Sequence, residues 1–122
     1  MKKKILIVDD ERGFTHLLKM VMSRYEIKEE NDSRQAVSTA KSFKPDLILL
    51  DVIMPEVDGG DLASMMRADY SLRHIPIVFL TGILSSKETA GATRDIGGYP
   101  FLAKPVSSEA LTRCIEEHLA EA

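Results

Sequence analysis

The chain has one cysteine, no surplus of positive charge and no long apolar run, and each shortage excludes a class of protein. Cys114 has no partner for an internal disulfide. Its neighbours Leu111 and Ile115 give it the spacing of a buried helix face, so packing rather than reactivity is its expected role. With 16 Lys and Arg against 19 Asp and Glu, the net charge of -3 lacks the basic excess that phosphate-backbone binding needs. Direct nucleic-acid contact is not expected. The apolar residues Ile5 to Val8, after Lys2, Lys3 and Lys4, are too few for a secretory signal core. No other stretch approaches the roughly 20 apolar residues of a membrane span, so the expected location is the cytoplasm. No repeat, low-complexity tract or linker interrupts the 122 residues. Since domains cluster near roughly 100 to 150 residues, one domain over 1–122 is expected, free-standing or cut from a larger protein.

Short runs rich in Ile, Leu and Val recur at Lys4 to Val8, Leu47 to Leu50 and Ile77 to Leu80, without polar alternation. Such strands are buried on both faces. Two weaker strands are predicted at Ile27 to Asn31 and at Tyr99 to Ala103, the latter after Gly97-Gly98. Between them lie helical patterns. Phe14, Leu17, Leu18, Val21 and Met22 follow the spacing of one apolar face, and shorter versions appear at Ala36, Val37, Ala40, at Leu62, Met65, Met66, and at Leu111, Cys114, Ile115, Leu119. The remaining helix, fourth in chain order and lying between Ser86 and Ile96, is the softest, because Gly91 alone costs about 1 kcal/mol there. Alternating strands and helices predict an α/β fold, a flavodoxin-like doubly wound, five-stranded parallel sheet of order 2-1-3-4-5 with five helices in three αβα layers. Pro100 cannot donate to a ladder, which puts the last strand at an edge.

In such a sheet the ligand site lies beyond the carboxyl ends of the strands. Asp9 and Asp10 follow strand one, Asp51 strand three, Thr81 strand four and Lys104 strand five. Three convergent carboxylates repel one another unless cations compensate. Lys104 supplies one charge; a hard divalent ion held by oxygen supplies the other, and Mg2+ takes one or two carboxylates while leaving room for a phosphoryl oxygen. A carboxylate beside a metal can attack phosphorus and form an acyl phosphate. Asp51 fits that role, being followed by a loop, Val52 to Asp58, bounded by Pro55 and Gly59. Thr81 offers a hydroxyl to a phosphoryl oxygen, and Gly82 lets the backbone approach. Taken singly, Asp9 reads as a turn or cap, Thr81 as a strand end, Lys104 as a solvated charge. Their joint placement favours a site.

These residues are the ones by which the sequence resembles the response-regulator receiver domain, the CheY-like family of two-component signal transduction, from Lys3 to about Leu119. The resemblance implies that Asp51 is the phosphoacceptor. It implies Mg2+ ligation by Asp10, Asp51 and the backbone carbonyl of Ile53, with Asp9 acting partly through water, and phosphoryl binding by Thr81, Gly82 and Lys104. The Lys104–Pro105 bond is cis by the same resemblance. Thr81 and Phe101 become the switch pair, repacking the surface of the fourth helix, fifth strand and fifth helix when phosphorylation adds about -1.5 to -2 charges. Phe101 also has the plainer reading of a core or edge aromatic. Implied partners are a sensor histidine kinase or histidine phosphotransfer protein as donor and a protein target downstream, the chain being a monomer or a phosphorylation-dependent homodimer. It would catalyse only its own phosphorylation and dephosphorylation, not turnover of an external substrate. Ile53 and Ile83 stand where some family members orient the attacking water, so slow phosphoryl loss is expected. Gly60 and the segment Gly97 to Pro100 depart from common family residues.

Three other functions fit less well. A haloacid-dehalogenase-type phosphatase needs a second Asp two residues after the nucleophile, and that position holds Ile53. A flavin-binding protein needs a neutral, hydroxyl-rich phosphate loop after strand one, where Asp9, Asp10 and Glu11 stand instead. An unphosphorylated receiver-like interaction scaffold would have no need for all five site residues.

Overall fold

The computed structural model describes residues 2–52, 54, 57–81, 95–96, 99–103 and 107–120. Its elements in chain order are β1 (Lys4–Val8), α1 (Arg12–Val21), β2 (Glu26–Glu30), a single 3-10 turn (Ser33–Gln35), α2 (Ala36–Phe43), β3 (Leu47–Asp51), α3 (Gly59–Ala68), β4 (Ile77–Thr81), β5 (Asp95–Ile96), β6 (Tyr99–Ala103) and α4 (Ser108–Ala120). Five parallel strands run in the spatial order β2-β1-β3-β4-β6. This is the flavodoxin-like order the alternation predicts.

Both faces of the central strands are apolar, which is why their sequences do not alternate with polar residues. Leu6, Val8, Ile48, Leu50, Ile77 and Phe79 point to one side and pack with Ala36 and Ala40 of α2 and Leu62, Ala63 and Met66 of α3. Ile5, Ile7, Leu47, Leu49, Val78 and Leu80 point to the other and meet Leu18 of α1 and Leu111, Cys114 and Ile115 of α4. Two separate cores therefore share one sheet. Each fully buried Leu or Ile contributes roughly 1.5–3 kcal/mol of transfer free energy.

Three expectations change. The face expected of α1 is only half buried: Leu18 and Met22 are inside, but Leu17 and Val21 are 56% and 52% exposed. The buried arc is rotated toward Thr15, a wholly buried polar residue that a search for apolar spacing does not count. Met65 of α3 likewise faces out. Residues 86–94 of the helix expected over Ser86 to Ile96 lie outside the described residues, so four α-helices are described. Its last two residues, Asp95 and Ile96, form β5, which pairs antiparallel with Pro100 and Tyr99. Gly97 and Gly98 lie outside the described residues. β6 is thus the edge of the parallel sheet, with a two-residue strand outside it. Its ladder with β4 begins at Phe101, past Pro100, so the missing proline N–H costs no bond there.

Candidate functional site: an acidic cluster at the carboxyl end of the sheet

Val8 is paired with Leu50 in parallel register, so the residues after β1 and β3 emerge at the same edge. One carboxylate oxygen from each of Asp9, Asp10 and Asp51 lies within 4.8 Å of the other two. Asp9 is wholly buried and Asp51 nearly so, whereas Asp10 is exposed. Burial matters because a carboxylate away from water needs donors or a cation to remain charged.

The backbone holds the cluster in place from both sides. Asp9 N–H donates to the Glu30 carbonyl at 3.1 Å, and the Asn31 side-chain amide donates to the Asp9 carbonyl at 2.8 Å. Asp9 Oδ1 accepts from the Glu11 N–H at 3.0 Å, a local Asx turn into α1. The blander reading of Asp9 as a turn residue is therefore also realised, while Glu11 occupies the N-cap position without a side-chain cap bond. On the other side, Val52 N–H donates to the Leu80 carbonyl and Gly59 N–H to the Val52 carbonyl. The Asp58 carboxylate caps α3 by accepting from the Asp61 N–H at 2.8 Å, and the Ser33 hydroxyl accepts from Val57 N–H at 3.1 Å. The loop after Asp51 is thereby tied to α3 and to the turn before α2.

Among the described residues the structure brings together Asp9, Asp10 and Asp51. The backbone of Thr81 lies one step beyond the Asp51–Leu80 pair, opposite Ala103. Phe101 is partly buried against the α2–α3 core. Ile53, Gly82, Ile83, Lys104 and Pro105, like the side chain of Thr81, lie outside the described residues. Gly59, expected to bound the loop after Asp51, does lie against it; Asn31 and Thr15 are parts of the site's frame that the sequence did not reveal. The signal for Thr15 was a polar residue inside the arc of a buried helix face; Asn31, expected to end the second strand, stands just after it, since β2 stops at Glu30.

Three oxygen donors this close, two of them shielded from water, suit a hard divalent ion. Opposite ligands of Mg2+ stand about 4.2 Å apart, twice its usual bond length, so small side-chain adjustments suffice.

The response regulator receiver domain family matches residues 5–116. The chain belongs to that family. It is 30% identical over 124 residues to the polar-differentiation response regulator DivK of Brucella anthropi, with both chains covered completely. It is 35% identical over 108 residues to the response regulator PleD of Caulobacter vibrioides, covering 87% of this chain but only 24% of that protein. Among solved structures, a response regulator from Desulfuromonas acetoxidans aligns with a TM-score of 0.83 at 26% identity, covering 98% of each chain. The chemotaxis protein CheY4 of Vibrio cholerae aligns with a TM-score of 0.81 at 25% identity, covering 96% of this chain and 98% of its own. Receiver domains of this kind are signalling proteins of two-component systems. Among the described residues, no helix is long and apolar enough to cross a membrane.

Proposed function

We propose that this chain, over 1–122, is a phosphorelay receiver that accepts a phosphoryl group on Asp51 from a sensor histidine kinase or a histidine phosphotransfer protein. The observation that carries the reading is the meeting of the Asp9, Asp10 and Asp51 carboxylates within 4.8 Å at the ligand-binding edge of the sheet. In the transfer, an Asp51 oxygen forms a bond to phosphorus as the donor's phosphorus–nitrogen bond breaks. The leaving imidazole keeps the electron pair and is protonated. Asp9, Asp10, Asp51 and the Ile53 carbonyl would hold Mg2+, which when bound neutralises charge on the transferring phosphoryl oxygens. Thr81, Gly82 and Lys104 bind the phosphoryl group. The added charge then biases the Thr81–Phe101 pair and the neighbouring surface toward a protein target, with no turnover of an external substrate. In this reading the protein is cytoplasmic and is either a monomer or a homodimer formed on phosphorylation.

The test is intact mass after incubation with Mg2+ and acetyl phosphate or beryllofluoride, beside an Asp51→Asn variant. One adduct, dependent on Mg2+ and absent from the variant, supports the reading. No adduct under conditions in which a reference receiver reacts overturns it in favour of an unphosphorylated interaction scaffold.

A further inference from the structure

Thr15 is a polar residue with no solvent exposure, placed on α1 where an apolar side chain would otherwise pack. Burying a hydroxyl costs free energy unless it is hydrogen-bonded. Its hydroxyl donates to Glu29 Oε1 at 2.8 Å and accepts from Asn31 Nδ2 at 2.9 Å. The second hydrogen of the same Asn31 amide goes to the Asp9 carbonyl at 2.8 Å. A carbonyl oxygen can only accept, so the amide nitrogen, not its oxygen, must face Asp9. The Arg12 guanidinium donates to the Asn31 oxygen at 3.4 Å. Both hydrogens of the Asn31 amide and one acceptor position of its oxygen are therefore directed, and the chain of donors ends on a carboxylate, which strengthens each link.

We propose that Asn31, supported by Thr15 and Glu29, is a positioning residue for the acidic site, setting its affinity for a divalent cation. The inference rests on the metal reading above. The end of β2 grips Asp9 by both backbone groups, Glu30 on its N–H and Asn31 on its carbonyl, so the Asp9–Asp10 peptide has one orientation. That peptide aims the exposed Asp10 carboxylate at Asp51. Without the grip, like-charge repulsion among three carboxylates turns Asp10 toward water, and a cation must then reassemble its own ligands. Such reassembly appears as lost affinity, because groups that orient ligands commonly carry 10- to 100-fold in metal binding.

Magnesium binding to the unphosphorylated full chain, followed by amide chemical shifts of Asp9 to Glu11 and by calorimetry, tests this without any phosphoryl transfer. Asn31→Ala should raise the Mg2+ dissociation constant roughly tenfold. Thr15→Val, which keeps shape and removes the hydroxyl, should raise it roughly threefold, and Thr15→Ser should restore it. Asp69→Asn is the control: it weakens the Lys41 and Ser71 contacts between α2 and the turn after α3, touches none of the residues that grip Asp9, and should change the urea midpoint with Mg2+ affinity unchanged. If Asn31→Ala fails to fold, the two Thr15 variants decide. Unchanged affinity in the folded Asn31 or Thr15→Val variants overturns the positioning role and leaves the metal reading standing. Absence of saturable binding by the native chain overturns both.

Discussion

Gly59 lies against the backbone of Asp51: a Cβ added to the glycine would overlap the Asp51 carbonyl oxygen and stand 2.8 Å from Val52 Cα. The obstruction is backbone, which cannot swing aside. Gly59→Ala gains helix propensity, worth about 1 kcal/mol in an α-helix, yet must push α3 away from β3. We expect net destabilisation of about 1–3 kcal/mol in urea unfolding, together with slower adduct formation at Asp51, since the end of β3 that carries this carboxylate must shift as well. A stabilised variant would show that the contact relaxes freely.

Neighbouring leucines of α1 should behave in opposite ways. Leu18→Ala empties a site in the α1–α4 core and should cost about 2–5 kcal/mol, whereas Leu17→Ala should stay within about 0.5 kcal/mol of the native chain. Equal losses in urea melts would mean that both leucines are buried and the helix is turned about its axis.

The Cys114 thiol is pushed up to about 11, first by burial and then by the nearby Glu117 charge. Against its ordinary 9.0, this leaves about a hundredfold less thiolate at neutral pH. Reaction with an aromatic disulfide reagent at pH 7 should be at least that much slower in the native protein than in urea. Rapid native labelling would contradict the packing role.

Asp69 joins α2 to the turn after α3. Its carboxyl is held down to about 2, first by the Ser71 hydroxyl and then by the Lys41 ammonium at 2.9 Å. The folded value lies below the ordinary 3.8, so this stabilisation is complete above 3.8 and is lost as pH falls toward about 2. Asp69→Asn should therefore flatten the fall of the urea midpoint over that interval and change little at pH 7 beyond a constant offset. The native acid slope surviving in the variant would assign it to other carboxylates.

Ile53 and Ile83 offer nothing to orient a hydrolytic water. Phosphoryl loss from Asp51 in the presence of Mg2+ should take minutes or longer by mass spectrometry, and Ile53→Asn should speed it by on the order of tenfold. Loss within seconds from the native chain would defeat this expectation.

The central strands were legible because β1, β3 and β4 are buried on two sides, and an unbroken Ile, Leu and Val run so short suits a strand covered on both faces better than a helix. Asp9, Asp10 and Asp51 were legible because parallel topology sends the ends of β1 and β3 to one edge. What escaped the sequence was orientation and support. Leu17 and Val21 share the spacing of Leu18 and Met22, and only packing distinguishes the inward pair. Asn31 looks like any polar residue after a strand until its amide is seen on the Asp9 carbonyl. The two-residue β5 was hidden inside a weak helical pattern, because two bridging residues leave no periodicity.

The acidic residues belong to different halves of the molecule. Asp9 and Asp10 lead into α1, which packs on one side of the sheet, while Asp51 leads through Val52 and Met54 to α3 on the other. A cation shared between them is a rivet through a two-sided plate. It would couple layers packed on opposite faces of the sheet, so amide exchange should slow in α1 and α3 together on metal binding, though neither helix need contact the ion.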